Sequence, residues 1–136
     1  MNTNYITRDQ HGMYAGVSGG PGPALMGSDT LMANQVYNRQ GEGLGDIQDF
    51  MIDMATGQVE YAVLAFGHVQ GLVDKLFAVP WSALALDTGN RRFTLDKSKA
   101  DLQSAPHFVK NAWPWMADEV WAQDLHRFYG TEAPAA

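Results

Sequence analysis

The strand Lys75–Val79 runs straight into Pro80-Trp81, and that ending limits the folds open to the chain more than any other feature. Proline has no amide hydrogen to give to a sheet ladder, so Pro80 belongs at a strand end, an edge or a corner. If the strand stays extended, Phe77, Val79 and Trp81 share one face. Trp81 then closes one end of an interior where the chain bends. Pro80 and Trp81 are the expected structural corner.

Short strand candidates joined by tight turns surround that corner. "LMANQVYN" (31–38) is one, closed by a segment whose glycines at 41, 43 and 45 suit a turn or bulge. In "DIQDFMIDM" (46–54), Phe50, Ile52 and Met54 alternate on one face, with Asp49 and Asp53 on the other. Ile47 is out of phase with that set. A bulge near Gln48-Asp49 returns it to the apolar face, because one extra residue shifts the alternation. Gly57 can take the positive φ of a tight hairpin. The next strand, "VEYAVLAFG" (59–67), is apolar on nearly both faces, as inside a closed barrel. Gly89-Asn90 mark a further turn before a last strand with Phe93 and Leu95. Five or six such strands predict a mainly β chain folded as a small, strongly bent barrel.

The flanks differ in kind. Residues 1–27 end in "AGVSGGPGPALMG", which has little to bury and is expected to form a flexible N-terminal arm. Residues 28–105 form the expected barrel domain, closing with a short helical turn that Pro106 stops. Residues 106–130 are expected to form a C-terminal extension with a helix. Asp118 suits its N-cap, Glu119 its positive end, Arg127 its negative end and Gly130 its termination. Trp121, Leu125 and Phe128 recur at helical spacing as an apolar stripe. Residues 131–136 are expected to fray.

Composition narrows the function. The 136-residue chain carries a net charge of −6. Its sequence pI is near 4.9, and such a chain repels a phosphate backbone, so nucleic acid is not an expected partner. No apolar run approaches a membrane span and the first residues lack a secretory pattern, so no membrane insertion is expected. The chain has no cysteine, which removes disulfides, thiol catalysis and thiolate metal sites and fits the cytoplasm.

Side chains with chemistry are present without a recognisable constellation. Glu42, Asp46, Asp49 and Asp53 fall in one short stretch, where paired carboxylates would suit acid–base work or a hard cation. The simpler reading makes Asp49 and Asp53 the polar face of a half-buried strand. His11, His68, His107 and His126 have no metal-ligand spacing. His68, in a barrel loop, is expected to be a turn or surface residue. The serines lack a nucleophile elbow. The expectation is a protein that is not an enzyme, with no catalytic residues, cofactor or metal. The alternative is a small-ligand or metal-ion-binding barrel using the acidic stretch and the His68 loop.

The extension concentrates aromatic area. Full burial of one such ring removes ~150–250 Å² from water, roughly 4–6 kcal/mol gross as an upper bound. A segment this apolar is expected to pack on its own barrel, to form a partner surface, or both. Trp113, Trp115, Trp121, Leu125 and Phe128 are the candidate interaction surface.

Laid in order, Gly41–Ile47, Asp49 and Asp53, Thr56-Gly57, Tyr61–Phe66 and Val79–Trp81 resemble the PRC-barrel domain family, known from photosynthetic reaction-centre H subunits and ribosome-maturation factors of the RimM type. The likeness spans about residues 30–96, and the extension is similar to that of stand-alone bacterial members. The loop "GHVQGLVDK" departs from the family's more glycine-rich pattern. The resemblance implies a barrel of two pseudo-symmetric halves that holds other macromolecules rather than catalysing a reaction. Membership of the two characterised groups is not expected, since the chain shows neither their membrane helix nor their extra N-terminal domain. The expected role is a cytoplasmic protein-interaction or assembly module, with a homodimer and an unidentified protein partner as its associations.

Overall fold

The computed structural model describes residues 25–133 except 33, 68, 70, 73 and 88. Six strands form one sheet: β1 (Gln35–Tyr37), β2 (Gly43–Ile52), β3 (Val59–Ala65), β4 (Leu76–Pro80), β5 (Leu84–Asp87) and β6 (Arg92–Leu95). Their spatial order is β4-β3-β2-β1-β6-β5, so β4 and β5 are its two edges. Yet only the 3-10 turn Trp81–Ala83 separates β4 from β5 along the chain. That link reaches ~14 Å at most, whereas six strands laid flat span ~24 Å. The sheet must therefore curl, and it does so as a half-barrel whose edges meet through Pro80 and Trp81 rather than through a ladder. β1 and β6 are parallel; the other pairs are antiparallel.

Trp81 begins the 3-10 turn that links β4 to β5. Leaving the extended strand for the 3-10 turn, its half-buried ring meets Phe50 of β2 edge-on at 5.8 Å and Phe93 of β6 at 5.7 Å. It thereby ties together strands from both sides of the curl. Phe77, Val79, Leu64 and Val36 are fully buried inside, with Phe66 tilted on Phe77 at 4.7 Å.

The register confirms one expected irregularity and adds another. Ile47 pairs with Leu64 but Asp49 with Val63, so Gln48 is the extra residue. Ile47 is accordingly buried. A second shift lies between Met51 and Ile52. It corrects the alternation expected at the strand's end, because Met51 packs against the core while Ile52 is 51% and Met54 92% exposed. At Gly45, β2 runs hard against the end of β3. A Cβ there would stand 1.9 Å from the Ala65 carbonyl oxygen, so only hydrogen fits.

Three helices complete the described chain. The first, α1 (Ser28–Met32), replaces the N-terminal half of the strand expected at 31–38, leaving β1 three residues long. α2 (Lys99–Gln103) starts in a capping box between Ser98 and Asp101 and ends before Pro106, burying Leu102. The last, α3 (Glu119–Tyr129), has Asp118 as N-cap and Gly130 at φ 70 as its left-handed end. Together with Phe108, whose amide and carbonyl pair with those of Leu76 at 2.9 and 2.8 Å, α3 covers the outer side of β4. The sheet's most apolar edge is thus kept from pairing with other chains. Of the arm expected at 1–27, all but residues 25–27 lies outside the described residues, as does the end of the tail beyond 133.

Candidate interaction groove

A tight turn builds one wall of the site. At the β2–β3 hairpin, the Asp53 amide donates to the Gln58 carbonyl and the Gly57 amide to the Asp53 carbonyl, each at 2.7 Å. The Asp53 carboxylate accepts from the Ala55 amide at 2.9 Å, and Gly57 takes φ 78. With the hairpin so fixed, and turned by the shift after Met51, Ile52 and Met54 stand outside the core.

The opposite wall comes from the extension. The Asp118 amide donates to the Trp115 carbonyl at 3.2 Å, and the Asp118 carboxylate accepts from the Trp121 amide at 3.3 Å. The stretch Pro114–Ala117 is thereby anchored to the start of α3. The helix is in turn locked to β3. Trp121 meets Tyr61 edge-on at 5.4 Å, and the Tyr61 hydroxyl lies 3.3 Å from His126 Nε2. His126 Nδ1 lies 2.7 Å from the Thr131 hydroxyl. Burial holds the His126 imidazole below its ordinary pKa, so the neutral ring is favoured. Burial, and then the nearby Glu60 carboxylate, push the Tyr61 phenol upward.

Between the walls runs an open groove of about 850 Å³. Met51, Ile52 and Met54 line it on the hairpin side, and Pro114, Trp115 and Met116 on the other. Tyr61 and Ala122 belong to its base, and the charged residues of its lining are all carboxylates: Asp53, Glu60 and Glu119. The lining holds no histidine, serine, lysine or arginine among the described residues. Such a surface takes up apolar side chains and favours positive charge beside them.

The structure divides the five aromatic and aliphatic residues singled out in the extension. Leu125 is 2% exposed and belongs to the core. Trp121 and Phe128 are half-buried against it, with the Lys97 ammonium 4.7 Å from the Phe128 ring centre. Trp113 rests on Phe108 at 5.1 Å but stays 39% exposed. Trp115 is 79% exposed. The acidic stretch does not converge. Glu42 accepts from the Asn38 side chain at 2.8 Å, Asp49 from the Phe50 amide at 2.7 Å, and Asp53 serves the hairpin. Among the described residues no group of three His, Asp or Glu side chains could hold a metal ion. His68 lies outside the described residues.

Sequence reasoning missed the hairpin wall, the part of Glu60 and Tyr61 in the lining and the buried role of His126. The one available signal was Met54, an apolar residue placed directly in a turn.

A family model for the PRC-barrel domain matches residues 25–102. The match covers more than half of the 136-residue chain, and the chain belongs to that family. No curated protein matches it. The matched region ends inside α2, so the barrel supplies the hairpin wall of the groove, while Pro114–Met116 and α3 lie beyond the family domain. Among the described residues no helix is long and apolar enough to cross a membrane.

Proposed function

We propose that this PRC-barrel protein is a non-catalytic protein-interaction or assembly module of the cytoplasm, and that the groove is its contact surface. The observation that carries the reading is the exposed apolar lining. Met54 and Trp115 both line about 850 Å³ of open space and keep most of their surface in water. A folded chain leaves large side chains so exposed, beside a concavity, chiefly where something else covers them. The absence of cysteine is the feature in keeping with a reducing compartment. Affinity capture from native extract tests the reading when wild type and Trp115→Ala are run in parallel. Partners retained by wild type and depleted with Trp115→Ala are expected. Identical sets from both proteins would remove the groove from the account.

Self-association is a second reading, favoured by a separate observation. Val109, Trp113 and Val120 are also exposed and lie outside the groove lining. A second copy of the chain meeting that surface about a two-fold axis would leave the groove free.

A further inference from the structure

We infer that the groove takes a basic amphipathic segment of a partner protein, one whose apolar side chains are flanked by lysine or arginine. The inference rests on the groove being a contact surface and adds the chemistry of what fills it. Three features select this occupant. The first is charge: Asp53, Glu60 and Glu119 are the charged residues of the lining, all of one sign, on a chain of net charge −6. A cationic segment is drawn toward such a rim, and an acidic one is repelled.

The second feature is the apolar surface. Met51, Met54 and Met116 are three of the chain's seven methionines, and all three line the groove. Methionine is unbranched and polarisable, so a wall of it adapts to side chains of different shape while Trp115 offers a large flat anchor. Amphipathic helices dock in grooves of this kind through apolar residues three and four apart, with their charged face at the rim. The third feature is size. About 850 Å³ admits several side chains at once, near the upper end of the ~300–1,000 Å³ that single small ligands occupy.

The same charges argue against two other occupants. A second copy meeting groove to groove would set Asp53, Glu60 and Glu119 against their own duplicates. An anionic membrane surface would face the same repulsion.

The probe is a Leu–Lys peptide patterned as an amphipathic helix of roughly four turns, titrated against the full chain by fluorescence anisotropy. A Leu–Glu peptide of the same pattern is the control. The Leu–Lys peptide should bind and the Leu–Glu peptide should not. Trp115→Ala should weaken binding about tenfold, as truncating an aromatic anchor does. The exposed position of Trp115 lets that variant keep its fold, which circular dichroism checks. Glu60→Gln with Glu119→Gln should weaken binding about tenfold and flatten its salt dependence.

Asp74→Asn with Asp96→Asn is the matched remote change. Asp74 lies in the β3–β4 connection and Asp96 just after β6, both exposed. The strand directions place them at the end of the sheet away from the hairpin turn. That pair should alter affinity less than about twofold, because distant charges are screened. Equal binding of the Leu–Glu peptide, equal weakening by the remote pair, or no binding of Leu–Lys at ~100 μM, well above the affinity of specific recognition, would each overturn the inference. If groove-dependent partners are nonetheless captured from extract, the contact surface stands and only the stated chemistry fails.

Discussion

Gly45 shows how little room the barrel leaves where β2 and β3 approach. Its missing side chain is required by the Ala65 carbonyl, 1.9 Å from where a Cβ would sit. Gly45→Ala must push the strands apart, and a loss of about 3 kcal/mol or more is expected in urea denaturation. Gly67→Ala, with nothing within 4 Å of its Cβ position, should leave the midpoint nearly unchanged. Similar losses in both variants would contradict the close approach. Trp81 is half-buried between Phe50 and Phe93, so Trp81→Ala should cost about 2–4 kcal/mol. His126 supplies the pH dependence. Its folded pKa lies below the ordinary value, so the unfolded chain takes up the proton first as pH falls. Stability should be level above pH ~6.5 and decline as pH drops from there toward the folded pKa. Both hydroxyl neighbours of the ring can accept a hydrogen bond from a protonated imidazole, so the penalty comes from burying its charge rather than from losing a hydrogen bond. Urea midpoints measured downward from pH 7.5 should fall in wild type and flatten in His126→Gln. A midpoint that rises on acidification would contradict the neutral, buried ring.

At the scale of elements, the extension is part of the fold. Leu125 and Tyr129 join the buried cluster, and Phe108 pairs with Leu76 of β4. Cutting the chain after Pro106 should uncover β4 and Tyr61 and lower the thermal midpoint by roughly 10 °C or more, since 1 kcal/mol is worth ~4–8 °C in a domain of this size class. An unchanged midpoint would make the extension an ornament. Much of this architecture was legible. Asp118 and Gly130 mark the ends of α3 because capping is local chemistry, and Ile47 betrays the bulge at Gln48 because a polar strand face makes a slipped phase visible. The shift after Met51 was hidden, since apolar Met51 and Ile52 stand side by side and period-two reading chooses between them only by assumption. α1 was hidden as well, because a short apolar run beside Ser28-Asp29 fits a helical turn or a strand equally well. The groove was less legible still. Its walls meet only because Tyr61 and His126, 65 residues apart, bring β3 and α3 together, and no local pattern records that distance.

The whole molecule is a curled half-barrel whose edge strands are joined at one corner and whose free side is covered by the extension. Among the described residues, the large apolar side chains left uncovered are those of the hairpin-to-extension groove, Leu25 at the start of the described chain, and Val109, Trp113 and Val120 of the extension. If those last three form a two-fold contact, light scattering across a dilution series should give twice the chain mass and return to a single chain in Trp113→Ser. A single-chain mass down from ~100 μM, a weak association limit on the scale of protein affinities, would remove self-association and leave the groove standing. The groove itself is tested most directly inside the cell of origin. An aromatic photo-crosslinking amino acid in place of Trp115 should form covalent adducts with another protein, the partner end of which mass spectrometry should map to a segment carrying lysine or arginine, whereas a second protein carrying it in place of Asp74 should form none. No adduct at position 115, or the same adducts from position 74, would contradict the claim that this groove is where the protein is held.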